Sequence, residues 1–184
     1  MTAVDSSIGM IKNAQARDPK NTLKIIYIHS DANRLDVITD ASFDLVFANM
    51  SLMDIEDAEG AVREVSRVLR GSGGRFVASI SHPCFDNGSN SGWMIEKIAS
   101  EPPKFYRKIR AYRKPFSENI RWKVGFTQSF HRPLNWYARI LSSNGLTINA
   151  LEEPEPTEEF LEKEEDSLGF IEVPLHLVFE AVKL

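Results

Sequence analysis

The feature of this sequence that most constrains its fold is the stretch 43–81, in which two short apolar runs flank a segment of helical periodicity. The runs FDLVFA and RFVASI are typical of strands that a parallel sheet buries on both faces. Between them, apolar residues recur at the spacing of one helix face: Ala58, Ala61, Val62, Val65, Val68 and Leu69. The stretch therefore predicts a strand–helix–strand unit and a fold of the α/β class.

Both ends of this helix carry sequence signals. Asp54 or Asp57 can cap its N-terminus, because an Asp side chain accepts hydrogen bonds from free backbone N–H groups. Gly71, Gly73 and Gly74 are predicted to supply the left-handed residues that end the helix. A glycine-rich turn also suggests a phosphate loop, but a phosphate loop follows a strand and precedes a helix. Here the order is reversed, which favours the helix-end interpretation.

Outside this unit the chain continues to alternate strands and helices. Further elements are predicted in order: a strand end at 2–4 followed by a helix from Ile8, a strand over 23–28, a helix opened by Pro133, and a closing hairpin formed by 146–151 and 174–184. Such alternation is typical of a three-layer α/β sheet. We therefore expect one domain spanning residues 1–184.

The segment 86–131 interrupts the alternation, because regular periodicity is lost and glycines and prolines punctuate it. Counted over 86–132, ten Lys or Arg residues oppose four acids, a local charge of +6. An insertion of this length after a sheet strand is expected to be a lid or substrate-binding element. Basic residues with interleaved aromatics also occur in nucleic-acid sites. However, the acidic stretch 152–166, with nine carboxylates, is the favoured partner, in the same chain or in a neighbour.

Composition excludes several classes of protein. The net charge of −4 gives the whole chain no electrostatic attraction to nucleic acid or to an anionic membrane. No apolar run approaches the roughly 18–20 residues of a membrane span, and no secretory signal is recognisable. The single cysteine, Cys84, rules out an internal disulfide, and the four histidines lack the spacing of metal ligands. We expect a cytoplasmic protein without a metal site.

Polar residues follow three of the predicted strands. Asp5, Asp31 and Asn49 each stand where a strand ends, and ligands of open α/β sheets bind at the carboxyl ends of strands. A carboxylate there can accept hydrogen bonds from two ribose hydroxyls, and an Asp beside a small residue such as Ala32 can meet an adenine amino group. Each residue alone could be a helix cap or a turn residue. Their occurrence on successive strands favours a ligand site.

Four segments of the sequence, VDSSIGMIKNAQ, FDLVFANMSLMDI, EVSRVLRGSGGRFVASISHPCF and HRPLNWYARILSSNGL, resemble class I S-adenosylmethionine-dependent methyltransferases that act on small molecules. The resemblance extends from Asp5 to the C-terminus. It implies a Rossmann-like, mostly parallel sheet with an antiparallel strand from the C-terminal hairpin. It also implies S-adenosylmethionine as cofactor and six cofactor-binding positions: Asp5 at the ribose, Met10, Asp31 and Ala32 at the adenine, and Asn49 and Met50 at the methionine end.

The resemblance also identifies a departure from the family pattern. The family's first strand, GxGxG loop and first helix are expected immediately before Asp5, whereas this sequence begins at Met1. We therefore expect an N-terminally truncated sheet, which pairs its third and fourth strands (23–28 and 43–48) directly or borrows contacts from a second molecule. An exposed sheet edge and separate basic and acidic segments are compatible with a homodimer. A start codon assigned too far downstream is a further interpretation.

The chemistry implied by the resemblance is in-line attack of an N, O or C nucleophile of a small-molecule acceptor on the sulfonium methyl group. The protein contributes alignment and exclusion of water, and a general base is needed only if the nucleophile arrives protonated. His82, His131 and Tyr137 are the candidates for that base. Cys84 and His82 stand too close in sequence to form a convincing nucleophile–base pair. The alternative is a catalytically silent relative that acts as an oligomeric binding module.

Overall fold

The computed structural model describes residues 1–122, 125–162 and 169–184. The elements in chain order are β1 (Thr2–Asp5), α1 (Ile8–Arg17), β2 (Ile26–His29), β3 (Leu45–Asn49), α2 (Ala58–Val68), β4 (Arg75–Ser81), β5 (Ser91–Glu96), β6 (Lys104–Ile109), β7 (Phe116–Trp122), β8 (Gly125–His131), α3 (Leu134–Ser143), β9 (Leu146–Glu152), α4 (Glu158–Leu161), α5 (Gly169–Glu172) and β10 (His176–Lys183). Among these described helices, none is long and apolar enough to cross a bilayer.

The largest sheet has four strands in the order β3-β4-β10-β9. β3 and β4 are parallel, with Leu45 opposite Arg75 and Asn49 opposite Ser79. β10 pairs antiparallel with β4 on one side and with β9 on the other. The predicted strand–helix–strand unit and the closing hairpin are therefore both confirmed, and the hairpin inserts its second strand beside β4.

One face of this sheet forms the main core. Side chains that alternate along β4 and β10, including Phe76, Ile80 and Leu177, are fully buried against α2 and α3. Phe76 also meets Phe179 edge to face, with ring centroids 5.9 Å apart. The six apolar residues predicted to form one stripe of α2 and its end are all buried. Their helical spacing therefore identified the helix face that packs on the sheet.

The helix α2 begins as predicted but ends earlier. Asp57 is its N-cap, and its side chain accepts a hydrogen bond from the Gly60 N–H at 2.9 Å. The prediction that the glycines end the helix was wrong, because α2 ends at Val68 and Leu69 is already extended. Leu69 is fully buried and forms a parallel bridge with Phe43, and this extended pairing is incompatible with continuation of the helix. Gly73, with φ of 99°, belongs to the turn that follows.

β1 and β2 form a separate parallel sheet of two strands. The expected direct pairing of the strands 23–28 and 43–48 was wrong, because among the described residues β2 pairs with β1 and β3 pairs with β4. The two sheets share a second, smaller core instead: Leu35, Ile38 and Val68, with Val4, Ile28, Phe43 and Val46 packed against them. Burial of apolar side chains, without a strand ladder, therefore joins β1 and β2 to the rest of the fold.

Arg67 of α2 forms hydrogen bonds with the loop that follows β2. The Arg67 guanidinium donates to the carbonyl oxygens of Leu35 and Ile38 at 2.9 and 2.8 Å and pairs with Glu64 at 2.8 Å. Glu64 in turn accepts a hydrogen bond from the Leu35 N–H at 2.8 Å. Hydrogen bonding to Glu64 and then to Asp40 raises the pKa of Arg67, and hydrogen bonding to Arg67 lowers the pKa of Glu64. Both shifts favour the ionised form of each residue.

The insertion 86–131 has more regular structure than its sequence suggested. It forms two antiparallel hairpins, β5-β6 and β7-β8, although the sequence shows no regular periodicity there. Trp93 on β5 contacts Phe105 on β6, with ring centroids 6.4 Å apart. Phe170 of α5 packs on the same Trp93 at 5.5 Å. The chain between β9 and β10 therefore packs against the first hairpin through aromatic contacts. The expected pairing of the basic insertion with 152–166 stays a prediction, because 163–166 lie outside the described residues.

Removal of the α2 cap is expected to destabilise the protein. Asp57→Ala leaves the Gly60 N–H without its side-chain acceptor, so the free energy of unfolding should fall by about 1 kcal/mol. Urea denaturation followed by circular dichroism measures this difference. Glu56→Ala, which removes a neighbouring carboxylate that does not cap the helix, is the matched control. Equal losses in the two variants would contradict the capping role.

Candidate active site

The turn after β3 is fixed to β4 by a compact set of hydrogen bonds. The Ser79 hydroxyl donates to Asn49 Oδ1 at 2.6 Å. The Met50 N–H lies 3.0 Å from Ser79 Oγ and 2.9 Å from the Ser79 carbonyl oxygen. Met50 has a φ of 47°, a left-handed conformation that a residue with a Cβ adopts only when its surroundings impose it. Strain of this kind is concentrated at ligand sites.

The other predicted cofactor residues stand at or beyond the carboxyl ends of β1 and β2. Asp5 ends β1 and accepts a hydrogen bond from the Ser7 N–H at 2.7 Å, so one of its oxygens already has a partner. Asp31 is exposed, and within the described residues its carboxylate has no hydrogen-bonded or ion-paired partner. Met10 is 56% exposed, and Ala32 is half-buried. Because β1 and β2 are parallel, these residues share one edge of the small sheet.

A cavity of about 110 Å³ lies beyond the carboxyl end of β4. Ser81 and Pro83 line it from β4 and the following residues, and Met53 lines it from the 3₁₀ turn after β3. Arg132 and Tyr137 line it from the start of α3. The cavity thus adjoins the chain segment that contains Asn49 and Met50, since Met53 follows Met50 by three residues. A cavity at the carboxyl end of a sheet is where α/β proteins bind ligands.

One face of the β7-β8 hairpin closes this cavity. Phe116 is opposite His131 and Glu118 is opposite Ser129 in the hairpin register, and all four line the cavity. Ile120, two residues beyond Glu118, lines it as well. Side chains two residues apart lie on the same face of a strand, so the hairpin presents one of its faces to the cavity. The predicted insertion 86–131 therefore contributes directly to the wall of the candidate site.

The imidazole ring of His131 is held in this wall by two contacts. Its Nε2 lies 2.7 Å from the Tyr112 carbonyl oxygen, which can only accept, so Nε2 carries the proton. In the neutral ring Nδ1 is then the basic nitrogen. The ring stacks on Phe116, with centroids 5.1 Å apart and an interplanar angle of 24°. This arrangement fixes both the tautomer and the orientation of the imidazole.

Tyr137 is buried at the first turn of α3 and is 3% exposed. Burial raises the pKa of its phenol, an effect that the nearby Arg132 opposes through its charge and a hydrogen bond. A phenol with a raised pKa keeps its proton at neutral pH. Tyr137 is therefore suited to donate a hydrogen bond, and it is a poor proton acceptor.

His82 lies outside this cavity, although its two sequence neighbours line it. It is 3% exposed, and both ring nitrogens have partners. Nδ1 accepts from the Cys84 N–H at 3.1 Å, and Nε2 lies 2.8 Å from Glu153 Oε1. The contact with Cys84 is made by its backbone, while the thiol points to the Tyr112 hydroxyl at 3.6 Å. His82 thus connects the end of β4 to the residue after β9, and no thiol–imidazole pair is formed.

Arg132 is a residue of the site that the sequence analysis did not select. It is 7% exposed, and its guanidinium donates to the carbonyl oxygens of Leu52, Ile55 and Glu56 at 3.3, 2.7 and 2.7 Å. It also lies over the rings of Phe130 and Trp136, at 5.1 and 4.7 Å from their centroids. The only sequence signal is an arginine flanked by aromatic residues just before a predicted helix. Within the described parts of the chain, no group of three or more metal-binding side chains is present.

The sequence of the chain is similar to known methyltransferases. Residues 1–78 match the family model described as a methyltransferase domain. Over 85 residues the chain is 35% identical to a demethylmenaquinone methyltransferase of Renibacterium salmoninarum. That alignment covers 46% of this chain and 34% of the relative. The matched part thus spans about a third of the length of this curated relative.

Solved structures extend the similarity to the whole chain. An S-adenosylmethionine-dependent methyltransferase from Mesorhizobium loti superposes with a TM-score of 0.78 at 25% identity, covering 99% of this chain and 80% of its own. A second protein, described as a putative S-adenosylmethionine-dependent methyltransferase from Listeria monocytogenes, gives a TM-score of 0.76 at 21% identity. It covers 100% of this chain and 79% of its own.

These matches show that residues 1–78 carry a methyltransferase domain, and that the chain has the Rossmann-like fold of the class I S-adenosylmethionine-dependent methyltransferase family. S-adenosylmethionine is the cofactor of that family. The resemblance inferred from the four sequence segments is thereby confirmed. The individual roles of the candidate site residues remain predictions.

Relief of the backbone strain at Met50 is expected to stabilise the fold. Met50→Gly and Met50→Ala both remove the side chain, but only glycine adopts a φ of 47° without steric cost. The glycine variant should therefore exceed the alanine variant in unfolding free energy by about 1 kcal/mol, as measured by urea denaturation. Equal stabilities would show that the left-handed turn is not strained.

Proposed function

We propose that this protein transfers a methyl group from S-adenosylmethionine to an N, O or C atom of a small-molecule acceptor. The observation that carries the proposal is the continuity between the two halves of the site. The turn at Asn49 and Met50 is hydrogen-bonded to Ser79, and the cavity begins at Ser81 on the same strand and at Met53 after the same turn. The free thiol of Cys84 supports a reducing, cytoplasmic location for this activity.

The residues at the strand ends fit the proposed cofactor. Asp31 has an exposed, unpartnered carboxylate among the described residues, suited to accept from an adenine amino group, and Ala32 beside it leaves room for a ring. Asp5 keeps one carboxylate oxygen for ribose hydroxyls, since the Ser7 N–H occupies the other. Met10 offers an exposed apolar side chain on α1. Asn49 and Met50 are assigned to the methionine end, and the bound cofactor supplies an electrophilic methyl group on a sulfonium centre.

The cavity is proposed to hold the acceptor, with the β7-β8 hairpin as its lid. Phe116 and Ile120 supply apolar contacts and exclude water, which matters because water would compete with the acceptor. His131 is the favoured general base, because its tautomer leaves Nδ1 unprotonated in a wall of the cavity. Tyr137 acts as a hydrogen-bond donor that orients the acceptor. His82, engaged at both nitrogens, is assigned the role of positioning the end of β4.

Calorimetric titration with S-adenosylmethionine and S-adenosylhomocysteine tests cofactor binding directly. Asp31→Asn should weaken binding at least about tenfold, because it removes a charge-assisted hydrogen-bond acceptor. Asp36→Asn, a matched change at an exposed aspartate that pairs with Arg34 at 2.7 Å, should leave the affinity within about twofold. Absence of binding heat and of any thermal shift at millimolar ligand would overturn the proposal.

A second candidate function is that of an oligomeric binding module, and a specific feature of the sheets favours it. β1 and β3 each have one edge without a strand partner among the described residues. On the face of the sheet opposite the core, Leu45 and Phe47 are 48% and 63% exposed. Unpaired edges next to exposed apolar side chains are typical sites of strand addition. In this candidate function a second copy of the chain covers these strands.

The oligomeric state separates the two candidates. If a second copy covers β3, sedimentation velocity should show a dimer, and Phe47→Ser should shift it to monomer by removing buried apolar area. Phe126→Ser alters a residue that is 71% exposed at the tip of the β7-β8 hairpin and should leave the dimer intact. A wild-type monomer that binds S-adenosylmethionine tightly would exclude the binding-module function.

A further inference from the structure

The guanidinium of Arg132 carries a buried charge whose protein partners are not carboxylates. Its three hydrogen bonds end on the backbone carbonyl oxygens of Leu52, Ile55 and Glu56, and its faces rest on Phe130 and Trp136. Within the described ranges it takes part in no ion pair. Removal of a charge from water is costly unless an opposite charge compensates it. Carbonyl dipoles provide that compensation only in part.

The acids in the same cavity do not neutralise this charge. Asp86 pairs with Arg107 at 3.2 Å. Glu118 accepts from the Ser89 N–H through both oxygens, at 3.0 and 3.2 Å. Both carboxylates that line the cavity therefore have partners other than Arg132. Glu118 keeps its negative charge, because its partner is a neutral N–H, but it makes no ion pair with Arg132 among the described residues.

Arg132 also has hydrogen-bonding capacity left. A guanidinium has five N–H donors, and three of them are used on backbone carbonyls. Tyr137 lies beside it in the same wall, and its hydroxyl interacts with Arg132 while keeping its own proton to donate. α3 begins two residues after Arg132, so its N-terminal dipole adds to the positive potential. An arginine and a phenol that line the same cavity can together donate to the two oxygens of a carboxylate.

We propose that the acceptor is an anion with an apolar body, and that its negative group, a carboxylate, binds to Arg132 and Tyr137. The inference rests on the proposed function, because it assigns the cavity to the acceptor. In this arrangement Phe116 and Ile120 contact the apolar body and leave His131 beside it. Arg132 and Tyr137 thus determine acceptor specificity. His131 is left for proton transfer.

The test compares benzoate with benzamide, which has the same ring but no charge, as ligands of the cofactor-free protein. Titrations into ¹⁵N-labelled protein are followed by chemical-shift changes, including those of the arginine Nε–H signals. Benzoate should bind at least about tenfold more tightly than benzamide, and should shift one arginine signal that Arg132→Lys removes. Equal affinities, or no binding of either probe at tens of millimolar, would overturn the proposal.

Four variants assign the effect to the named residues. Arg132→Gln should abolish the preference for benzoate, whereas Arg132→Lys should retain part of it because it keeps the charge. Tyr137→Phe removes only the hydroxyl and should reduce the affinity for benzoate several-fold without changing that for benzamide. Arg121→Gln removes an exposed arginine that lies over Phe126 and should change neither affinity. A benzoate preference that survives Arg132→Gln would contradict the assignment.

Two features keep these outcomes decisive. If Arg132→Gln fails to fold, as judged by circular dichroism, the lysine and phenylalanine variants still test the charge and the hydroxyl separately. The probes bind without cofactor, so a negative result with S-adenosylmethionine would count against the proposed methyl transfer alone. Selective binding of benzoate would then still establish an anion site at Arg132. Its absence would refute that site, but methyl transfer to a neutral acceptor would still be consistent with the result.

Discussion

The pairing of β4 with β3 on one side and with β10 on the other is the interaction on which the rest of the structure depends. β4 is the strand whose alternate side chains, Phe76, Ala78 and Ile80, are all fully buried in the main core. The same ladder places Ser79 opposite Asn49 and delivers Ser81 to the cavity. Along β4, residues that face the core alternate with Ser79 and Ser81, which lie at the candidate site. Packing of the core therefore also fixes the position of the site.

Local sequence patterns predicted the parts of the fold that local interactions determine. The apolar stripe of α2, its Asp57 cap and the closing hairpin follow from side-chain periodicity and backbone hydrogen bonding within a few residues. The end of α2 could not be predicted in this way, because the bridge between Phe43 and Leu69 joins residues far apart in sequence. The hairpins of 86–131 were missed because twisted strands with mixed polar and aromatic faces give no clear alternation.

For the candidate site, sequence patterns indicated the residues at strand ends but not the residues whose contacts are distant in sequence. Strand ends identified Asp5, Asp31 and Asn49 because carboxyl ends of strands are recognisable in sequence. The behaviour of the histidines depends on distant partners: Glu153 engages His82, and the Tyr112 carbonyl fixes His131. Arg132 depends on three carbonyls about eighty positions earlier, so its burial has no local signature. Polar groups that long-range contacts satisfy are the part of a site that sequence patterns convey least.

The residues of the proposed cofactor site lie on two separate sheets, so their relative positions depend on the packing between these sheets. Asp5 and Asp31 belong to the β1-β2 sheet and Asn49 to the four-stranded sheet, and no ladder joins these sheets among the described residues. Their relative placement rests on the second core around Leu35, Ile38 and Val68 and on the contacts of Arg67. A ligand that contacts both sheets adds a connection between them, so its binding energy stabilises their mutual arrangement by mass action. If the cofactor contacts both sheets as proposed, its binding and the order of the β1-β2 sheet are thermodynamically coupled.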